Sequence, residues 1–320
     1  MEIQKISFVI PCYGSEHTID TVVEEIKVTM EQRQDLDFEI LAVNDQSPDG
    51  VQAVLEKLAA RDRRIKVIAL AKNSGKANAQ MAGFRYLKGD VVVCLDDDGQ
   101  CPMDRLWDLL VPLESGKADS AVARYPKKKE STFKRFGSKV NARTDEWLLG
   151  KPRELQISNF SAHRRFVIDE AVRSEAVYPY FWGLVLRSTS HVVNVPMEER
   201  ERLAGRGHFN FRRSFAMWLD GFTACSIKPL RLADILGLLC AAGGFGFGIY
   251  AIVRKLVDPA RIDAGYSSII ASIFFVGGVL MILLGLVGEY VGRIYMGINK
   301  VPQYVIRESW NLEEENEGKE

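Results

Sequence analysis

The chain has 320 residues, with 42 lysines and arginines set against 42 aspartates and glutamates. That is room for one large or two modest cores, without the basic excess that marks a nucleic-acid binder. Five cysteines, Cys12, Cys94, Cys101, Cys225 and Cys240, are odd in number, widely spaced and free of any Cys-x-x-Cys, which argues against a disulfide framework or a zinc site and fits a reducing compartment. From Met1 the sequence runs through mixed charge straight into Ile6-Ser7-Phe8-Val9-Ile10, so no secretory signal is expected.

From Ile6 to about Ala123, short apolar runs alternate with helical periodicity, the pattern of βαβ units and a mainly parallel sheet. The strands fall at Ser7 to Ile10, Glu39 to Val43, Lys66 to Ala69, Val91 to Leu95 and Ser120 to Ala123. Helices are expected over Thr18 to Glu31, Val51 to Ala60, Ala77 to Leu87 and Met103 to Leu113. Lys127 to Ser226 is mixed and more basic. Within it, 131–149 and 209–223 space aromatic residues at helical intervals among lysines and arginines, which suits helices lying on a membrane surface, with core packing as the other reading. Residues 232–253 and 267–288 are apolar runs of about 20 residues, long enough to span a bilayer, and their glycines permit close helix packing in lipid. The flanking Lys228, Arg231, Arg293, Lys300 and Arg307 place residues 1–226 and the tail, 296–320, in the cytosol, with 227–295 as a two-helix membrane domain. The acidic end, Glu313-Glu314-Glu315-Asn316-Glu317, is expected to be disordered.

The densest chemistry lies where Val91-Val92-Val93-Cys94-Leu95 runs into Asp96-Asp97-Asp98-Gly99-Gln100. Three adjacent acids repel one another, so a positive charge is expected among them. Ligands in open α/β sheets bind beyond the carboxyl ends of the strands. Hard oxygen ligands without His or Cys suit Mg²⁺ or Mn²⁺ carrying a phosphate. A solvated acidic turn is the plainer reading of an isolated Asp-x-Asp.

The surrounding motifs resemble those of the family 2 inverting glycosyltransferases of the GT-A fold, in the polyprenyl-phosphate, dolichyl-phosphate mannose synthase-like branch. Pro11-Cys12-Tyr13 looks like its nucleotide-binding turn, and Asn44-Asp45-Gln46-Ser47-Pro48-Asp49-Gly50 like its Asp-Asp-Gly-Ser-Pro-Asp-Gly segment. Asn73-Ser74-Gly75-Lys76, with Gly83, Gly89 and Asp90, matches the Asn-x-Gly loop and the Gly-Asp that opens the acidic strand. Asp96 to Pro102 matches Asp-x-Asp-x-Gln-x-Pro, and Gly288-Glu289-Tyr290-Val291-Gly292-Arg293 resembles the close of the second membrane helix in two-span bacterial members.

The resemblance implies a Rossmann-like GT-A catalytic domain with interfacial helices and two transmembrane helices. It implies an integral protein of the inner or plasma membrane that transfers one sugar, with inversion, from a UDP- or GDP-linked donor to a polyprenyl phosphate. Asp96, Asp98, Arg124 and Arg202 are the implied catalytic set, and Asp98, Gln100 and Asp96 would hold Mg²⁺ or Mn²⁺. Pro11, Tyr13, Glu16, Asp45, Lys76, Asp96, Asp97, Gln100 and His208 are the implied nucleotide-sugar contacts. Gly14-Ser15 replaces the usual Asn-Glu, which leaves Glu16 as a displaced substitute. Asn44 replaces the first acid of its motif, and His208 stands where the family has Lys. A lipid phosphate acceptor is already ionised near neutral pH, so positioning and charge neutralisation outweigh a general base. His17, His163 and His191 read as structural or surface residues. A processive polysaccharide synthase lacks support, because no Gln-x-x-Arg-Trp occurs, and a non-catalytic scaffold sits poorly with the intact Asp-x-Asp-x-Gln. Glycine-rich membrane helices favour a homo-oligomer.

Overall fold

The computed structural model describes residues 3–126, 143, 144, 146, 147, 150–203, 228–257 and 266–312. The described residues of Met1–Trp218 and Val301–Glu320 form one compact unit, and those of Leu219–Lys300 a second.

In the first unit, β1 (Lys5–Cys12), β2 (Asp37–Asn44), β3 (Ile65–Leu70), β4 (Val91–Cys94), β5 (Ser120–Arg124), β6 (Ser161–Arg164), β7 (Val192–Pro196) and β8 (Ile306–Trp310) make one sheet, in the order β7-β5-β6-β4-β1-β2-β3-β8. The centre, β4-β1-β2-β3, is parallel, as is β5-β7, whereas β6 and β8 run antiparallel to their neighbours. Helices α1 (Ile19–Met30), α2 (Val51–Arg61) and α4 (Leu106–Glu114) cover one face, and α3 (Lys76–Phe84), α5 (Arg165–Val172) and α6 (Phe181–Ser188) the other. The period of two in β1 decides the layering: Ile6, Phe8 and Ile10 enter the first core and Val9 the second. Each fully buried side chain of that size is worth about 1.5–3 kcal/mol. Close contact of α3 with the sheet requires Gly83, where a Cβ would stand 2.9 Å from Val9 Cγ1 and 3.1 Å from Leu41 Cδ2.

A buried charge cluster lies near the amino ends of the central strands. Glu39, 1 % exposed, accepts hydrogen bonds from Ser7 Oγ at 2.6 Å, Lys88 N at 2.5 Å and Lys66 Nζ at 2.7 Å. Burial pushes the Glu39 carboxyl upward, but these three partners outweigh it and hold it below its ordinary range.

Two expectations need correction here. The tail is not wholly separate: Ile306–Trp310 pairs with β3 as the sheet's outer strand, and Asn311 Nδ2 donates to Ala59 O and Ile65 O. The glycines expected to serve close helix packing meet no described neighbour: among the described residues, a Cβ at Gly243, Gly244, Gly246, Gly277, Gly278, Gly285 or Gly288 would find no atom within 4 Å.

That unit holds α7 (Lys228–Val257) and α8 (Tyr266–Ile298). Among the described residues, one stretch, Phe275–Ile298, is long and apolar enough to cross a membrane, rather than the two expected; the apolar part of α7 is the shorter Gly237–Gly246. Met281, Ile282 and Leu284 in α8 are exposed. Residues 131–149, save Arg143, Thr144, Glu146 and Trp147, lie outside the described residues, as do 209–223, His208, Cys225 and the acidic end.

Candidate active site

The chain builds β1, β2 and β3 outward in one direction and then returns to place β4 on the other side of β1. Loops leaving β1 and β4 therefore diverge and open a crevice at their carboxyl ends, the switch-point position for a ligand. Pro11, Cys12 and Tyr13 border it from β1, and Asp96, Asp97 and Asp98 from β4.

Asp97 ties the two loops together. Its Oδ2 accepts from Tyr13 N at 2.9 Å, and its carbonyl accepts from Thr18 Oγ1 at 2.6 Å. Burial, with the charges of Asp96 and Asp98, raises its carboxyl above the ordinary range against the pull of Tyr13 and Ser15. The middle acid thus faces the β1 turn, and that turn is fixed again to the loop after β2. Gly14 N donates to Ser47 Oγ at 2.7 Å, Glu16 N to Asp49 Oδ2 at 2.9 Å, and Gly50 N to Glu16 Oε2 at 3.0 Å. Glu16 stands against Gly50 as a loop fastener.

Asp45, 3 % exposed, accepts from Ser74 N at 2.6 Å and Gly75 N at 2.8 Å, and burial raises its carboxyl. Those two bonds hold the loop that delivers Lys76 at the start of α3. Lys76 Nζ bonds Asp96 Oδ1, and Asn159 Nδ2 donates to the other oxygen, Oδ2, at 2.6 Å.

Asp98 and Gln100 face a different cation. Arg202 Nη2 lies 2.9 Å from Asp98 Oδ2 and donates to Gln100 Oε1 at 3.2 Å. The segment carrying Arg202 wraps the acidic turn: Arg200 N donates to Gln100 O and Leu203 N to Asp98 O, each at 3.1 Å. Gly99 is required beneath it, because its φ is +76° and a Cβ there would run into Leu203. Arg200 anchors the segment further, with Nη1 2.9 Å from Glu25 Oε2 and Nη2 paired with Asp104.

Arg124 closes β5 with its side chain exposed and, among the described residues, without an ion-pair partner. His163 is fully buried between Ser120 Oγ and Ser161 Oγ, each at 2.9 Å, and burial lowers its pKa to about 3. It is a structural neutral imidazole. Cys94 and Cys101 are buried free thiols, Cys94 pushed up to about 12 and Cys101 further by burial, which argues against nucleophilic roles.

No group of three His, Cys, Asp or Glu side chains converges among the described residues. An ion that arrives with phosphates needs only one or two protein carboxylates. Asp98 Oδ2 and Gln100 Oε1 already meet on one cationic nitrogen, so the donor set fits a hard divalent ion. The site thus brings together Pro11, Tyr13, Asp45, Lys76, Asp96, Asp97, Asp98, Gln100 and Arg202. Reading the sequence missed Asn159 and Arg200; the short Ser158-Asn159-Phe160-Ser161 run before β6 was the available signal for the first.

The glycosyl transferase family 2 model matches residues 7–174, and the GtrB C-terminal hairpin model matches residues 228–294. A bactoprenol glucosyl transferase of Shigella phage SfII is 29 % identical, over 95 % of this chain and 98 % of that protein. The undecaprenyl-phosphate 4-deoxy-4-formamido-L-arabinose transferase of Proteus mirabilis is 28 % identical, over 100 % and 98 %. Among solved structures, mannosyl-3-phosphoglycerate synthase from Rubrobacter xylanophilus shares the fold, with a TM-score of 0.51 and 19 % identity over 72 % of this chain and 74 % of that one.

Proposed function

The chain belongs to glycosyl transferase family 2, and from that premise we propose that it moves a single sugar from a UDP- or GDP-linked donor to a polyprenyl phosphate of undecaprenyl or dolichyl type, with inversion. It is a glycosyltransferase. The observation that carries the finer reading is the pairing of the switch-point acids with exposed cations. Lys76 and Arg202 are 42 % and 38 % exposed. Their carboxylates are less accessible, at 21 % for Asp96 and 13 % for Asp98, but a cation that reaches solvent is held less tightly than one in a buried pair, so either cation can turn to a phosphate oxygen.

As the glycosidic C–O bond breaks, the nucleoside diphosphate gains negative charge, and preorganised cations lower that barrier. Lys76 and Arg202 supply them from two sides of the crevice. Tyr13, 44 % exposed, offers a ring face to the base beside Pro11, and Asp45 keeps lone pairs free for a base N–H beyond the two it uses. Glu16 and Asp97 hold the turn on which the nucleotide rests, and His208 would add a pH-dependent cation. Mg²⁺ or Mn²⁺, when bound, neutralises diphosphate charge as a Lewis acid; Asp98 and Gln100 would hold it, with Asp96 beside them. Arg124 offers bidentate geometry to the acceptor phosphate. An ionised acceptor oxygen forms its bond to the anomeric carbon as the bond to the diphosphate breaks on the opposite side, which inverts that centre without a covalent intermediate.

A lipid acceptor calls for a membrane, and α7 with α8 would form a two-span hairpin. Chain on both sides of the hairpin belongs to one compact unit, with β8 in the same sheet as β1 to β7. A unit that lies wholly on one side of a bilayer requires an even number of crossings, so Phe275–Ile298 needs a partner span. At 30 residues, α7 is about 45 Å long at 1.5 Å per residue, sufficient for a core of about 30 Å. The flanking cations orient the catalytic unit to the cytosol, and glycine-rich membrane helices favour a homo-oligomer.

The test offers detergent-purified protein UDP- and GDP-sugars with undecaprenyl phosphate, a soluble phosphomonoester, or neither, and identifies products by mass spectrometry. Sugar found only on the lipid phosphate supports the reading; sugar on the soluble ester, or nucleotide-sugar hydrolysis alone, overturns the acceptor.

A further inference from the structure

The contact between Asn159 and Asp96 follows from strand register. Strands β4 and β6 are antiparallel, with Val91 opposite Arg164 and Cys94 opposite Ser161. Continued two residues past the last pair, that register sets Asn159 across from Asp96 at the carboxyl end of β4. The backbone there is fixed independently, since Phe160 is fully buried and Ser158 Oγ bonds Phe160 O at 3.2 Å. Asn159 itself is exposed, so the fold does not need its side chain for packing. An ionised Asp96 only accepts, which puts the amide nitrogen toward it. Its second N–H and its carbonyl oxygen have no partner among the described residues.

Asp96 therefore differs from its neighbours. Asp97 is turned into the β1 loop and Asp98 toward Arg202, whereas Asp96 has Lys76 on one oxygen and Asn159 on the other. Cation, carboxylate and amide form a polar edge that is neutral overall and lies beside the diphosphate position. A sugar hydroxyl, which both donates and accepts, matches such an edge better than a phosphate does.

We propose that Asn159, together with the carboxylate it orients, is a specificity-determining residue for the sugar of the donor, and that it contributes little to holding the nucleotide. The proposal rests on the glycosyl-transfer reading of this crevice. Sites built to hydrogen-bond a hydroxyl discriminate strongly against ligands that lack or misplace it.

The experiment measures binding of UDP, UDP-glucose, UDP-galactose, GDP and GDP-mannose by isothermal titration calorimetry, with Mg²⁺, to the full chain and to Asn159→Ala, Asn159→Ser and Asn159→Gln. We expect Asn159→Ala and Asn159→Ser to lose about tenfold in affinity for the preferred nucleotide sugar while sugar-free nucleotide stays within about twofold. Asn159→Gln, which keeps the amide, should recover part of the loss. Preference between the glucose and galactose donors should narrow in the alanine variant. An equal fall for sugar-bearing and sugar-free nucleotides would make the residue merely structural and overturn the proposal, as would no change in either. Failure of the unmodified chain to bind any nucleotide would overturn the donor reading itself, a result distinct from the other two.

Discussion

Two sets of acid–cation pairs sit at opposite ends of the parallel centre of the sheet, and they differ in their access to water. At the amino ends, Glu39 and Lys66 are 1 % and 11 % exposed in their side chains, and Glu39 also takes Ser7 and Lys88. At the carboxyl ends, Asp96 and Asp98, 21 % and 13 % exposed, pair with Lys76 and Arg202, whose side chains are 42 % and 38 % exposed, so in this set the cation is the partner that reaches water. Breaking a buried pair strands a charge and costs about 3–5 kcal/mol, whereas exposed pairs exchange partners almost freely. The first set therefore holds the fold, and the second is free to trade a carboxylate for a phosphate. Burial rather than charge tells the working cluster from the structural one.

The sharpest way to break this contrast is Asp98→Asn. Loss of a charge that organises the diphosphate end should lower sugar transfer by about 10³-fold, in the range found for single electrostatic contributors, with a melting temperature within a few degrees of the parent. Lys66→Met should do the reverse, costing about 3–5 kcal/mol in chemical denaturation while leaving kcat and KM of the folded fraction unchanged at low temperature. Lys76→Met should raise the donor KM and lower kcat/KM by about 10- to 100-fold, with a stability change under about 1 kcal/mol. Parallel losses of stability and transfer in Lys76→Met would erase the distinction between the clusters.

The effect of pH falls on His163, outside both clusters. Its pKa is about 3 when folded, against about 6.5 in an unfolded chain. Below pH 6.5 the unfolded chain takes up a proton that the folded chain refuses until about pH 3. The stability present above pH 6.5 is therefore lost as pH falls through that window, at up to about 1.4 kcal/mol per pH unit. Urea midpoints between pH 7 and 4 measure the slope, and His163→Phe should flatten it.

Much of the first half was legible in the sequence because its central strands are buried on both faces. Val91-Val92-Val93-Cys94 is an unbroken apolar run, Ile65 to Leu70 is apolar save for Lys66, and every residue of both is buried. Asp96, Asp97 and Asp98 therefore fall just past the end of β4, where the apolar run stops. Ser161-Ala162-His163-Arg164 gave no such signal, since its polar residues are satisfied by tertiary partners, Ser120 for His163 and Leu113 O for Arg164. Strand β8 is equally opaque, with Arg307, Glu308 and Ser309 exposed, and exists because β3 offers it an edge. Arg202 and Lys76 were legible through the motifs they resemble, whereas Asn159 reaches Asp96 only through the antiparallel register of β6 on β4, a contact that no local pattern encodes.

Formation of sugar-linked undecaprenyl phosphate by detergent-purified protein, with and without divalent metal and alongside Asp98→Asn, tests the transfer reaction itself. The expected result is a metal-dependent lipid product from one nucleotide sugar that falls by about 10³-fold in the variant. Equal product from parent and variant, or product formed undiminished in the presence of a chelator, would contradict it.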